Sequence, residues 1–383
     1  MHVERLERDA ITRLAYLMLG LWGFLLYALG PALPELRREL GVSRAVVGLH
    51  TTIVALGAIG VGIAGDTLVA RLGRRRAFWS SGVALVAGAG ALALGRTIAI
   101  TFTASLVLGL GGALAVTLVQ ATLADRHGAL AAAAIVEANA LAVAVGASAP
   151  LAVALAILLG GDWRAVFLAA ALVPVPALAL THGSVAFPAP PALMHGHGPR
   201  LPAAYWLYWA ALLLFVAIEF CIVFWSTDYL ETVRRLSRSS AAASSSVFLV
   251  GMTLGRVAGG WLATRIRSER LLAGALAIAG AGFLGFWLLD VPPLTVVSLG
   301  VTGTGVSLLY PLTLALAIES SGGRTDAASA RASFASGTAI AAAPFTLGAL
   351  ADRAGLREAY AIVAVLVAAA ACILFAARRA QSR

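Results

Sequence analysis

The chain has 383 residues, of which 60% are apolar and only 12% charged, against about 25% charged in soluble globular domains. That composition excludes a water-soluble enzyme or binding domain and places the chain in a bilayer. Its formal charge of +10 lies mostly in short stretches between apolar runs, as in the connections of a membrane protein, which argues against nucleic acid as a partner.

A helix needs about 20 mainly apolar residues to cross the hydrocarbon core, and charge, Gly and Pro divide the chain into twelve such runs. The charged start MHVERLERDAITR leads into the first, 11–34, which lacks a small-residue cleavage site and is read as retained. The next five are 44–69, 77–95, 98–123, 130–158 and 164–182. Between the second and third runs, Arg71, Arg74, Arg75 and Arg76 crowd into RLGRRR. Residues 183–203, carrying GSVAFPAPPALMHGHGPRLP, form the long Pro/Gly-rich interruption. They read as a cytoplasmic linker between two six-helix bundles, 1–182 and 204–383. His195 and His197 there make at most a weak metal site, and a flexible loop is the simpler reading. The remaining runs are 204–229, 240–264, 271–289, 294–318, 327–350 and 358–378. Cys221 and Cys372 fall inside apolar runs with no Cys-x-x-Cys spacing, so neither a disulfide framework nor a metal site is implied.

The N-terminus, RLGRRR, DRHG, TRIRSER, SSGGRTDAASAR and the tail ARRAQSR all fall on one side. The positive-charge bias makes that side cytoplasmic, with both termini inside. The other side also carries charge, in ELRRELGVSR and ETVRRLSRSS, beside the sparser GDWR and DVPP.

Sliding the second half over the first by 194 residues superposes Gly65 on Gly259, Leu68 on Leu262, Arg71 on Arg265 and Arg76 on Arg270. The same shift superposes Gly109 on Gly303, Gly111 on Gly305, Asp125 on Glu319 and Pro150 on Pro344. Charges and prolines are scarce enough here for one ungapped register to mean an internal repeat. Two six-helix halves in the same orientation are a repeat architecture of secondary transporters, with the solute site between the halves near the midplane.

On these residues the chain resembles the major facilitator superfamily along nearly its whole length. RLGRRR and the residues before it are similar to that family's G-x-L-A-D-R-x-G-R-R/K loop, matching at Leu68, Arg71, Gly73, Arg74 and Arg75. The family's Asp position is Ala70 here and its first Gly is Asp66. The weaker copy GGWLATRIRSER matches at Gly260, Leu262, Ala263 and Arg265, with Thr264 at the Asp position. WR after the fifth run, LLYPL in the tenth and LGALADRAGL closing the eleventh are also family-like. The resemblance implies an all-α polytopic fold of twelve transmembrane helices in two bundles related by a pseudo-two-fold axis.

An ionisable side chain inside a span costs at least about 2.5–3.5 kcal/mol and is a functional candidate by default. Glu219 lies halfway along the seventh run with no base in its own helix. A carboxyl taken out of water favours its neutral form, which suits a group that binds and releases a proton; a protonated Glu bonded to a neighbouring helix is the structural alternative. Trp225 and Tyr229 follow at helical spacing, Trp225 as a cavity wall or an interfacial ring, Tyr229 as an interfacial one. With Gly303, Gly305, Tyr310 and Pro311 they look like the fucose and sugar permease branch.

The resemblance implies contact of the fifth helix with the eighth and of the second with the eleventh. It therefore pairs Glu137 with Arg256 and Asp66 with Arg331, two pseudo-symmetric ion pairs that would close the cytoplasmic side together with Arg71, Arg74 and Arg75. Arg256 could instead bind an anionic solute directly. His50 is a possible proton relay, more often a hydrogen-bonded wall residue. Tyr27, Asn139, Gln120 and the hydroxyls of VTGTGVS are further polar candidates. Gly109, Gly111, Gly303 and Gly305 read as close-packing positions. Drug antiporters of the family carry an Arg where Ser105 stands and a Gly-Pro motif that VGASAP meets only in part.

The expectation is a proton-coupled secondary transporter, a monomer, moving a sugar-like or organic-acid solute by alternating access. Multidrug efflux against protons and passive uniport are the alternatives. Its partners are the small solute, the proton and the bilayer. No cofactor is implied, and without an H-E-x-x-H, a nucleophile elbow or a phosphate-binding glycine loop no enzyme is expected.

Overall fold

A computed structural model of the chain describes residues 6–181, 187, 201–322 and 325–381. Twelve helices among the described residues are long and apolar enough to cross a membrane. In the first half these are α1 (Ala10–Leu40), α2 (Arg44–Leu72), α3 (Arg74–Leu94), α4 (Ile98–His127), α5 (Ala131–Leu158) and α6 (Arg164–Leu172, resumed as Val175–Thr181). The second half has α7 (Ala203–Thr232), α8 (Arg238–Ala263), α9 (Ser268–Leu288), α10 (Pro292–Glu319), α11 (Thr325–Ala354) and α12 (Ala361–Gln381, after the short helix Leu356–Ala359). Helices are what hydrocarbon permits, because each satisfies its backbone hydrogen bonds internally.

The observed helices overrun the apolar runs at their charged ends. α1 continues through ELRREL to Leu40; its 31 residues span about 46 Å at 1.5 Å per residue, well beyond the ~30 Å hydrocarbon core. α6 is interrupted at Val173 and Pro174, where proline lacks the N–H that would continue the ladder. Between α2 and α3 the chain turns on Gly73 at φ +78°, a left-handed backbone that glycine adopts without a Cβ clash.

The repeat extends to helix starts. α2, α3, α4 and α5 begin at 44, 74, 98 and 131, and α8, α9, α10 and α11 begin at 238, 268, 292 and 325. Packing repeats in the same register. A Cβ on Gly109 would overlap the carbonyl of Val54, and one on Gly303 would overlap that of Phe248. Gly111 lies against Ser81 and Leu85, and Gly305 against Ala275 and Ala279. Each of these neighbours is 194 residues from its counterpart. Small residues let helix backbones approach to van der Waals contact, the main attraction available between helices in lipid.

The chain forms two compact units, residues 1–29 with 53–194, and residues 30–52 with 195–383. The last part of α1 and the first part of α2 thus belong with α7–α12. Most of the linker 183–203, including His195 and His197, lies outside the described residues; Phe187 packs its ring 5.1 Å from that of Phe78.

Each unit ties down one helix end with a buried arginine. In the first, Arg164 donates to the carbonyls of Leu92 (2.7 Å) and Ala93 (3.2 Å) at the end of α3. In the second, Arg234 donates to Trp287 (2.7 Å) and Phe286 (3.3 Å) at the end of α9. The carbonyls are equivalent under the repeat, but the arginines come from different connections, α5–α6 and α7–α8. What recurs is the need to satisfy the last carbonyls of a helix.

Candidate functional site

Glu219 lies midway along α7, 9% exposed, among side chains that are almost all buried. Among the described residues its carboxyl has no hydrogen-bond or ion-pair partner. Arg256 of α8 lies within its electrostatic reach, as does Tyr310 of α10. Arg256 is half-buried and likewise has no hydrogen-bond partner among the described residues. Three helices of the second unit thus contribute an acid, a base and a phenol, the last two within electrostatic reach of Glu219.

Other sequence-predicted residues are engaged elsewhere. Glu137 takes a two-pronged ion pair from Arg8, at 2.7 and 3.0 Å, on the exposed surface of the first unit. Arg256, within the second unit, lies in electrostatic reach of Glu219. Of the second expected pair, the Asp66 side chain lies outside the described residues; Arg331 is exposed, accepts at its carbonyl the Trp209 indole N–H at 2.8 Å and lies in electrostatic reach of Tyr205. Arg74 is buried and ion-paired with Asp125, so it holds α3 to α4 inside the first unit; Arg71 and Arg75 are exposed.

Trp225 is a strut rather than an open wall: it is 1% exposed, and its indole N–H donates to the Pro344 carbonyl at 2.8 Å. The ring fits against Gly348, where a Cβ would come within 2.7 Å of it. Tyr229 is no interfacial ring. It is fully buried, donates to the Trp287 carbonyl at 2.7 Å and packs against Phe286 and Tyr360. Its polar end is satisfied by the same carbonyl that Arg234 binds, so it has no need of water. His50 is fully buried, with Nδ1 2.9 Å from the Val47 carbonyl of its own helix. Asn139 donates to the Ile135 carbonyl at 2.8 Å, and Tyr27 lies over Gly146, where a Cβ would strike its ring.

A second polar constellation, at the end of the second unit that carries the α7–α8 connection, was missed. Arg44, at the start of α2, donates to Asp228 of α7 at 2.7 Å. Arg238, at the start of α8, pairs with Glu35 near the end of α1. Arg38 joins Glu35 and Glu231, each at 2.6 Å, and Arg37 lies 3.6 Å from Asp228. Asp352 of α11 accepts the backbone N–H groups of Arg44 (2.8 Å) and Ala45 (2.7 Å), capping α2 as an N-terminal carboxylate does. The signal was present: the 194-residue shift also superposes Arg44 on Arg238.

At the start of α1, Asp9 accepts from the Thr12 hydroxyl (2.7 Å) and backbone N–H (3.0 Å) and from Arg126 (2.7 Å). Burial pushes its carboxyl up, but these hydrogen bonds outweigh it and hold Asp9 below the usual carboxylate range.

The chain matches the sequence profile of the Major Facilitator Superfamily over residues 15–344 and again over 245–383. An uncharacterised MFS-type transporter of Yersinia pestis is 25% identical over 382 residues, 94% of each chain. Among solved structures, a bacterial homologue of the human lysosomal transporter Spinster, inward-facing and unoccupied, is similar at TM-score 0.76 and 14% identity, over 97% of this chain and 96% of that one. The nucleoside transporter NupG is similar at TM-score 0.75 and 12% identity, over 97% and 98%. The xylose transporter XylE of E. coli, partially occluded and inward open, is similar at TM-score 0.74 and 14% identity, over 96% and 98%. Likeness at such identities carries the fold and leaves the cargo open.

Proposed function

The chain belongs to the major facilitator superfamily, and from that premise we propose that it is a proton-coupled secondary transporter moving a small sugar-like or organic-acid solute by alternating access. Family and fold together indicate a multi-pass membrane transporter. The observation that carries the finer reading is Glu219, a buried acid in the middle of a span that neither a hydrogen bond nor an ion pair engages among the described residues. An acid in such a place functions by taking up a proton from one side and releasing it to the other as access alternates. The arginine-rich connections support placing both termini in the cytoplasm, which puts the Arg44–Asp228 and Arg238–Glu35 pairs on the outer side.

Reconstitution into proteoliposomes tests the reading. A thermal-shift screen of sugars, organic acids and cationic drugs first finds a solute that stabilises the purified protein. Uptake of that solute should accelerate when the outside is made acidic, and Glu219→Gln should abolish the acceleration. A wild-type rate indifferent to the pH gradient would make the protein a passive uniporter.

A further inference from the structure

The Glu219 site holds two opposite charges that do not meet. An intramembrane acid and base normally pair with each other or with backbone groups. Here Glu219 and Arg256 sense one another's charge without an ion pair, and neither finds another hydrogen-bond partner among the described residues. Arg256 keeps five N–H donors in a planar fork, a geometry that matches a carboxylate two prongs to two. Among the described residues, Tyr310 of α10 is the other titratable group in electrostatic reach of Glu219.

We propose that the transported solute is a monocarboxylate, bound through its carboxylate by Arg256 and carried together with one proton on Glu219. The proposal rests on the reading of Glu219 as the proton-binding group and adds the class of solute and the stoichiometry. Charge balance is the reason. Glu219 and Arg256 by themselves bring one negative and one positive group to the site and sum to neutral. An anion entering alone leaves it net negative, and a proton entering alone leaves it net positive. Both are disfavoured where little water screens them. Proton and monoanion together restore neutrality, so the two travel as a pair. A neutral sugar would leave the Arg256 fork unmatched, a dianion would leave an excess charge, and a cation drawn to Glu219 would be repelled by Arg256.

The test uses full-length protein in proteoliposomes containing a pH-sensitive dye, with D-gluconate and L-lactate as monocarboxylates and D-xylose, succinate and tetraphenylphosphonium as comparisons. At least one of the two monocarboxylates should raise the melting temperature and, applied as an inward gradient, acidify the lumen beyond protein-free vesicles. Clamping the membrane potential with potassium and valinomycin should not change that rate. Arg256→Gln should weaken carboxylate binding at least about tenfold, as loss of a charge-assisted hydrogen bond does, while Arg256→Lys retains part of it. Glu219→Gln should still bind and exchange the carboxylate but lose the response to pH. If Arg256→Gln does not fold, the valinomycin clamp on wild-type protein decides: a rate that follows the potential overturns the one-to-one pairing. If neither monocarboxylate stabilises the protein, or if xylose binds wild type and Arg256→Gln alike, the solute class is wrong; uptake still driven by protons through Glu219 would then leave the proton reading standing. Proton-driven carboxylate uptake that survives Glu219→Gln would instead overturn the proton reading.

Discussion

Asp9 performs three jobs with one carboxylate: it caps α1 through the Thr12 N–H, holds the Thr12 hydroxyl, and pairs with Arg126 across to the end of α4. Because its folded pKa lies below its ordinary value, the stabilisation is complete above the ordinary carboxylate range and disappears as pH falls through the depressed value. Replacing the cap by Asp9→Ala should cost about 1 kcal/mol at neutral pH; the Arg126 pair adds little, since its arginine is half exposed and screened. Thermal unfolding in detergent should show the gap between variant and wild type closing below about pH 4. A gap that widened in acid would contradict this account. Trp225 teaches the complementary lesson about single residues. The sequence shows an aromatic two turns beyond an acid, but the acceptor that buries it is a carbonyl of α11, 119 residues away. Only tertiary placement reveals that.

At the scale of helices, glycine spacing was legible because backbone contact leaves room for nothing larger, and the requirement repeats with the fold. Gly109 on Val54 and Gly303 on Phe248 are the same contact made twice. Gly303→Ala and Gly109→Ala should therefore each destabilise by about 1–3 kcal/mol, the range for overpacking a tight site. Gly274→Ala, in α9 with nothing within 4 Å of a Cβ, should be neutral or raise stability by up to about 1 kcal/mol through helix propensity. Melting temperatures of the three variants side by side check this; equal losses at Gly274 and Gly303 would mean that composition, not contact, governs. The arginine caps show where the repeat stops. Leu92 and Ala93 correspond to Phe286 and Trp287, yet Arg164 and Arg234 reach them from unrelated connections. No alignment of the two halves would have paired them.

Across the whole chain, the twelve helices and the two-fold repeat could be read from hydropathy and a few scarce charges, since each depends on local composition or on one constant offset. Partners for the charges could not, because which acid meets which base is decided by side chains from helices distant in sequence. Two pseudo-symmetric ion pairs were expected on the cytoplasmic side, Glu137 with Arg256 and Asp66 with Arg331. Within the second unit a different set of charges meets at the other helix ends, where Arg44 and Arg238 each reach an acid carried by the first helix of the other half. Their consequence follows from chain continuity. α1 and α2 each run from one compact unit into the other, and the ion pairs, the Asp352 cap and the Thr52 hydroxyl on the Ala341 carbonyl at 2.6 Å hold the ends that belong to the second. These contacts anchor those ends to the second unit. Neutralising both bases, Arg44→Gln with Arg238→Gln, leaves Glu35 with Arg38 alone and Asp228 with the more distant Arg37, and a buried acid that loses part of its pairing loosens the hold on these ends of α1 and α2. Thr52→Cys in a Cys372→Ser background reports on access, since Cys221 is buried. A membrane-impermeant maleimide added from outside should label that cysteine several-fold faster in the double-neutralised protein. Exchanging the charges of the first pair, Arg44→Asp with Asp228→Arg, should return labelling toward the slow wild-type rate. If neutralisation leaves the labelling rate unchanged, the pairs do not anchor these helix ends, and the apolar contact of Gly48 with Trp225 would have to anchor them instead.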